Sequence, residues 1–497
     1  MPQGDGSSSA AESGLHYGIR ASTAPGPGMR RVLKHDDTFA VFDRSGDLAC
    51  RDDGTCGIYH EGTRFLSRFE LSLHGTPLLL LGSQIGDDGV LEADLTNCDL
   101  YLGDRLVLPH STVHVRRCKF LHDAVCFERL EITNYDIREL DFQIQLRWAS
   151  DFADLFEVRG VTRMQRGEQA APVVTGDAVT FAYTGLDGVL RRTHIGLAPA
   201  PSRIDANGAT FRLRLGAKQS VRLDVEVDCR IGEEPVPTPR DHDSARAQAL
   251  RGHVASRRAC CNVRTSSPRF DAWLARSHAD LALMTSRTSY GPYPYAGVPW
   301  FSTPFGRDAL LTAWMTSWTQ PGLSAGVLRF LAAHQSDGFD DTADAEPGKI
   351  LHELRHGEMA ALREIPFGRY YGSVDATPLF VGLLGVYHQT TGDLELVAQL
   401  WPHATRALEW MERWGDADAD GFVEYGARAE DALVNQGWKD SCDSVFHADG
   451  SDARGPIALA EVQGYVYDAF AAASRIAGVL GDATHQRQLA EKATALQ

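Results

Sequence analysis

Between about Val32 and Asp228, apolar and polar residues alternate in short runs. Phe211, Leu213 and Leu215 interleave with Arg212 and Arg214. After a turn around Gly216, Val221, Leu223, Val225 and Val227 interleave with Arg222, Asp224 and Glu226, and Leu140, Phe142, Ile144, Leu146 and Trp148 repeat the pattern. Successive side chains of a strand point to opposite faces, so a period of two gives one buried and one wet face. Asn- and Gly-containing breaks separate the runs. An antiparallel β-sandwich over residues 30–232 is the natural way to bury such faces.

The period then changes. Glu233 to Arg240 reads EEPVPTPR, with three prolines in five residues. Proline fixes φ and favours extended backbone, so residues 233–265 are expected to form a stiff linker and a connecting segment. Beyond it, Phe270, Trp273, Leu274 and Leu281 fall at helical spacing after a Ser-Pro start. Further helices are predicted at about 305–320, 323–335, 376–390, 396–414 and 457–480. The last of these places Tyr465, Val466, Ala469, Phe470, Ala473, Ile476 and Val479 on one face, with Gly481 as its stop. A final helix starts near Asp482 or Thr484 and reaches Gln497 without a stop signal, which leads to the expectation of a C-terminally truncated helical domain over 266–497. Residues 1–29, rich in Gly, Ser and Pro, read as a disordered tail.

Composition narrows the function classes. The 497 residues exceed one ordinary core and predict at least two domains. A formal net charge of −17 repels phosphate backbones and anionic membranes, which excludes nucleic acid and membrane surfaces as expected partners and leaves neutral substrates such as sugars. There is no apolar stretch of about 18 residues and no basic start leading into an apolar segment, so a cytoplasmic protein is expected. The nine cysteines are scattered, with Cys260 and Cys261 adjacent and no CxxC pair, and are expected to be reduced. Nothing in the pattern sets an oligomeric state.

Four segments carry candidate chemistry. In GVPWFSTPFGRDALLTAW (297–314), Gly and Pro bend the chain beside Trp300, Phe301 and Phe305, and Arg307 and Asp308 open a helix. Ring faces stack on sugar C–H groups and charged forks bond vicinal hydroxyls; alternatively Asp308 only caps the helix with Arg307 as partner. LVNQGWKDSCDSV (433–445) sets Trp438, Lys439, Asp440 and Asp443 in one polar loop. An acid beside Trp438 would have its pKa raised by desolvation, as a general acid requires, while Lys439 pulls the other way; an ordinary solvated loop is the bland reading. Asp440 and Asp443 would share a site if this segment were helical. HELRH (352–356) matches a motif that on a helix places two histidines on one zinc-binding face with Glu353 as base. Gly357 interrupts that helix, and only Glu364 or Asp375 offers a nominal third ligand, so a mixed-charge cleft segment competes. DADADGFVE (416–424) resembles the front of a calcium loop, but its twelfth position is Ala427, which excludes an EF-hand. A shorter calcium loop on Asp416, Asp418 and Asp420, helped by Glu424, competes with a tight acidic turn. FGRYYGSVDATPLF (367–380) adds Tyr370, Tyr371 and Asp375, the last either a sugar contact or a helix start.

Taken together, VLKHDDTFAVFDRSGDL, GIYHEGTRFLSRFEL, DFADLFEVRG, GVPWFSTPFGRD, EPGKILHELRHGEMA, PFGRYYGSVDATPLF, DGFVEY, VNQGWKDSCDSVFHADG and GPIALAEVQGYVY resemble the bacterial amylo-α-1,6-glucosidase, or glycogen-debranching-like, family. The resemblance implies a β-sandwich followed by an (α/α)6 toroid, with the sugar site in the long loops at its wide end. It implies an inverting glycoside hydrolase that acts on an α-glucan or small glucoside at α-1,6 branches and needs no cofactor. Trehalase-like or mannosylglycerate-hydrolase-like specificity and a non-catalytic glycan-binding protein are the alternatives; a zinc peptidase is the least favoured. Asp440 would be the general acid. Arg307, Asp308 and Asp375 would hold the terminal ring, Trp300 and Trp438 would line it, and Glu353 and Lys439 would lie in the cleft with no metal. The base would be a Glu beyond Gln497, leaving this chain alone inactive; Glu353, Glu358 and Glu461 are candidates only by default.

Overall fold

The computed structural model describes residues 30–49, 54–102, 104–233, 240–426 and 432–497. The expected tail and the proline run 234–239 lie outside the described residues. An antiparallel β-domain precedes a helical domain.

Two sheets enclose the first core. A nine-stranded sheet runs in the order Glu168–Gln169, Ala178–Thr184, Leu190–Ala198, Ser220–Ile231, Val125–Asn134, Val113–His122, Leu91–Thr96 and Leu79–Ile85, with Val173–Val174 added on Ala178–Thr184. A five-stranded sheet runs Arg203–Asp205, Gly208–Leu215, Leu140–Ala149, Arg68–Leu73 and Thr76–Pro77. Their inner faces meet through Phe142, Ile144 and Trp148 against Leu130, Val225 and Val227. The runs on either side of Gly216 are not partners. Leu213 pairs with Phe142 in one sheet, while Val225 pairs with Glu128 in the other, so the chain crosses the sandwich at this turn. A smaller four-stranded sheet covers residues 31–66.

A charge network is buried where that small sheet meets the nine-stranded one. Arg117 bonds Asp47 at 2.5 Å and Glu128 at 2.6 Å, and Lys119 bonds the other oxygen of Glu128 at 2.5 Å. Burial alone pushes the Glu128 carboxyl up, but the two cations outweigh it and hold it below its ordinary value.

Ten helices follow one another among the described residues: α1 Leu155–Val158, α2 His242–Arg258, α3 Pro268–Met284, α4 Gly306–Thr316, α5 Pro321–Ala333, α6 Glu358–Ala361, α7 Ala376–Thr391, α8 Leu394–Arg413, α9 Ala460–Val479 and α10 Ala483–Ala495. Most of the predicted helices appear within a few residues of their expected places. Helix α2 occupies much of the segment read as a connector, started by the Asp241 side chain accepting from Ser244 N. Helix α7 stops at Gly392 in the left-handed conformation, and Asp393 then caps α8. Helices α4, α5, α7, α8 and α9 enclose a second core, with Val466, Ala469, Phe470, Ala473 and Ile476 of α9 buried as predicted and Val479 exposed. The described helices form an open array. Helix α3 departs from expectation: Phe270 and Trp273 are exposed, because its neighbours, α2 and three strand segments, leave that face uncovered.

The two domains are joined by polar bonds. Arg287 forks onto Asp36, Lys34 donates to Ser286 and Tyr295 to Asp37. On the other side, Arg163 holds Glu358 at 3.1 Å and Glu364 at 2.7 Å, while Tyr183 and the Leu186 N–H donate to Glu358. Asp154 accepts from Phe156 N in its own helix α1 and from Met359 N in α6.

Cys56 is disulfide-bonded, a correction to the expectation of reduced cysteines. A disulfide needs only two suitably oriented Cβ atoms close in space, which sequence spacing does not reveal. Seven other cysteines are free. Among the described residues no helix is long and apolar enough to cross a membrane.

Replacing Glu128 by Ala leaves the buried Lys119 without its acid and Arg117 with Asp47 alone, and chemical denaturation of E128A is expected to show a loss of about 3–5 kcal/mol. A second outcome follows from Asp154, whose carboxyl is pushed up to about 6 by burial. Its folded form keeps a proton that the unfolded chain has already released, so its contribution to stability falls as pH rises from about 4 to about 6. The stability of D154N relative to wild type is expected to rise across that window by at most about 3 kcal/mol, read from denaturant melts at each pH.

Candidate functional site

The site forms where loops from the N-termini of α4 and α7 meet the loop ahead of α9. Gly306 opens α4 against the neighbouring chain: its N–H donates to His352 O at 2.8 Å, and a Cβ there would lie 1.9 Å from Leu351 O. Only glycine permits this approach, which sets Arg307 at the first turn of the helix.

Arg307 is 8% exposed. Its guanidinium donates to Asp375 Oδ2 at 3.2 Å, to Gly437 O at 2.7 Å and to Asp440 Oδ2 at 3.2 Å. Asp375, 1% exposed, also accepts from Ser373 Oγ at 2.6 Å. It therefore positions Arg307 instead of reaching outward. Asp375 does start α7, but without a side-chain cap bond. Asp440 is on the open side, its side chain 42% exposed. Asp308 stands half-buried beside this cluster, not as the helix cap, which falls at Phe305. Burial raises its carboxyl above the ordinary value, Arg307 opposes that, and Asp440 and Asp375 add to it.

HELRH is extended, not helical. Glu353 and Leu354 pair with Tyr370 and Arg369, and Gly357 turns the chain at a φ of 114°. The helical face that a zinc pair needs is absent here, and both nominal third ligands are engaged, Glu364 by Arg163 and Asp375 by Arg307. Glu353 is buried and bonded to Arg355 at 2.7 Å; burial raises its carboxyl, Arg355 and Arg159 oppose, and Asp440 adds to the rise. His352 is held neutral by burial and by the nearby charges of Arg307, Arg355 and Lys349.

The two tryptophans differ. Trp300 is partly buried against the β-domain core, under the guanidinium of Arg159 at 6.0 Å, and its carbonyl accepts from Arg355. Trp438 is 60% exposed, so it does not desolvate Asp440 as the sequence suggested. Lys439 and Asp443 are exposed as well, and the segment is not helical, so Asp440 and Asp443 are not paired on one face. Pattern reading missed Arg159, whose only signal was its place inside the long, compositionally odd DFADLFEVRG motif, and it named His352 only as a zinc ligand.

Away from this cluster, carboxylate oxygens of Asp416, Asp418 and Asp420 lie within 4.8 Å of one another. Each also accepts a backbone N–H of the same turn, at Gly421, Asp420 and Phe422.

The architecture compares with solved enzymes. A putative kojibiose phosphorylase from the human microbiome matches over 93% of this chain and 67% of its own, with a TM-score of 0.54 and 7% identity. A bacterial glucoamylase complexed with acarbose matches over 95% and 68%, with a TM-score of 0.56 and 9% identity. At these identities the likeness is one of fold, and the fold is that of glycoside hydrolases and phosphorylases built as a β-domain followed by a helical domain. Residues 33–226 match the family model for the N-terminal domain of (some) glycogen debranching enzymes, so the β-domain is similar to that domain. No curated protein sequence matches.

Because a Cβ at Gly306 has no room, G306A is expected to push the 351–352 backbone away and lower stability by about 1–3 kcal/mol. Thermal denaturation reads this directly; an unchanged melting temperature would show that the close approach is not required.

Proposed function

We propose that the chain is a glycoside hydrolase of α-glucan metabolism that cleaves α-1,6-glucosidic branch linkages with inversion. The single observation that carries the reading is Arg307, buried and shared between Asp375 and the half-exposed Asp440. Such an arrangement presents one carboxyl to an open loop cluster while a charged fork and a buried partner hold it in place. The fold class and the debranching-type N-terminal domain support a carbohydrate substrate.

In this mechanism Asp440 donates a proton to the glycosidic oxygen as the bond breaks. A second carboxylate activates water on the opposite face of the ring, about 6.5–9.5 Å away. Of the default candidates for that base, Glu353 is tied to Arg355, and Glu358 lies in the interdomain network under Arg163 and Tyr183. Glu461, exposed in the first turn of α9, has a carboxylate oxygen 4.0 Å from where a Cβ on Gly437 would stand. Asp308 lines the floor beside Arg307, and Trp438 and Lys439 lie at the mouth, where a ring can stack and a hydroxyl can bond. The reaction needs no cofactor. Calcium at Asp416, Asp418 and Asp420 enters as a structural ion only, and no step passes through it.

Glucose release from an α-1,6-branched limit dextrin, assayed with and without inorganic phosphate, tests the reaction. Phosphate-independent release supports hydrolysis, release as a sugar phosphate moves the reading to phosphorolysis, and no release either by this chain or by one extended beyond Gln497 sinks the α-1,6 assignment. Asp440→Asn is expected to lower kcat by about 10²–10⁴-fold with little change in KM. An unchanged kcat removes Asp440 from the role of acid.

A further inference from the structure

A cleft of about 640 Å³ lies between residues 336–345 and 360–371, and none of the residues predicted to hold the terminal ring lines it. Its size falls within the roughly 300–1,000 Å³ of ordinary ligand pockets. We propose that this cleft is a second carbohydrate-binding site, one that holds a run of glucose units of a glucan chain while the cluster at Arg307 holds a terminal unit. The inference rests on the reading above that the chain acts on a glucan, and it names the polymer, not a small glucoside, as the substrate.

The lining is the argument. Its floor includes small residues such as Gly338, Ala360 and Gly368, which leave room for rings to lie flat. At one rim Phe339 is 55% exposed and stands edge-on to Trp414 at 5.1 Å, an apolar shelf beside the opening. At the other, the Tyr371 ring is fixed by its hydroxyl bond to His334 O and lies under the Arg369 guanidinium at 5.9 Å.

The charges balance. Arg363 and Arg369 line the cleft together with Asp337 and Asp340, and the charge of Glu364 is already taken by the two bonds from Arg163. An anion would meet two carboxylates and a cation two guanidinium groups. A neutral polyol with apolar ring faces meets partners of both kinds, donors and acceptors, with rings to stack on. Arg363 is held at a φ of 55°, in the left-handed region, and its side chain makes no hydrogen bond or ion pair among the described residues. A side chain placed at such a backbone cost and left without a partner is available to a ligand.

The cleft is also tied to the first site. Its wall at Arg369 continues the strand that pairs with Glu353 and Leu354, so both regions share one two-stranded ribbon.

The test uses native electrophoresis of the whole chain through gels containing glycogen, together with calorimetric binding of the glucose-like iminosugar deoxynojirimycin. Wild type is expected to be retarded by glycogen. The double variant Phe339→Ala, Arg363→Ala alters exposed side chains, and is expected to lose at least about fivefold in glycogen affinity while binding the iminosugar within about twofold of wild type. Equal retardation of variant and wild type overturns the cleft site, as does a wild type that glycogen does not retard. The iminosugar arm judges the first reading separately: binding that Arg307→Lys abolishes supports the cluster at Arg307 whatever the gel shows, and a wild type that binds neither probe overturns both.

Discussion

A buried guanidinium must be surrounded by acceptors, and the site is built around that requirement. Arg307 cannot lose its proton, and leaving it unpaired in the interior would cost several kcal/mol. Its three acceptors come from two places: Asp375 at the start of α7, and the loop ahead of α9, which offers Gly437 O and, three residues further on, Asp440. Neither of these loops has a regular scaffold of its own, so each is located largely by what it offers to one side chain. The second contact of the same loop, Val374 N donating to Gln436 O at 3.0 Å, depends on that placement. Close approach at Gly306 then sets where the arginine begins.

The β-domain is part of this construction, not an appendage. The segment carrying His352, Glu353 and Arg355 lies between the helical core and helix α1 of the β-domain. Asp154 caps α1 and holds Met359 N, Phe156 stacks on Phe367, and Arg163 binds both Glu358 and Glu364. At Gly62, a Cβ would come within 2.4 Å of His356 O, so the domains approach backbone to backbone. Arg159, from the same stretch of the β-domain, lies over Trp300 and Phe301. Separating the domains would expose buried charge on both sides, which makes the loop geometry of one conditional on the other.

Much of this architecture was legible because periodicity reports burial directly. The apolar positions of α9 and of Leu140–Ala149 face their cores as the pattern required. The errors arose where tertiary pairing overrides local pattern. The runs on either side of the turn at Gly216 belong to opposite sheets, which the pattern left open, since alternation specifies a face but not a partner. HELRH has the spacing of a helical metal motif, yet pairing with Arg369 and Tyr370 draws it into a strand. Arg307, Asp308, Asp375 and Asp440 were named from motif content and do converge, but the roles within the cluster were not legible. Asp375 turned out to be enclosed and Trp438 open, and neither property follows from residue type.

That correction bears on how a proton is held for a general acid. With Trp438 exposed, the carboxyls that burial raises are Asp308 and Glu353. Asp308, Glu353, Asp375 and Asp440 face two guanidinium groups, Arg307 and Arg355, while burial and those same cations keep His352 neutral. These cations, together with Arg159 near Glu353, oppose the effect of burial in a partly dry site without cancelling it. The strain falls on Asp308 and Glu353, whose carboxyls are both raised by burial, and both are raised further by Asp440. Asp440 is the exposed member, so the network that locks the loops in place also sets one carboxyl at their opening.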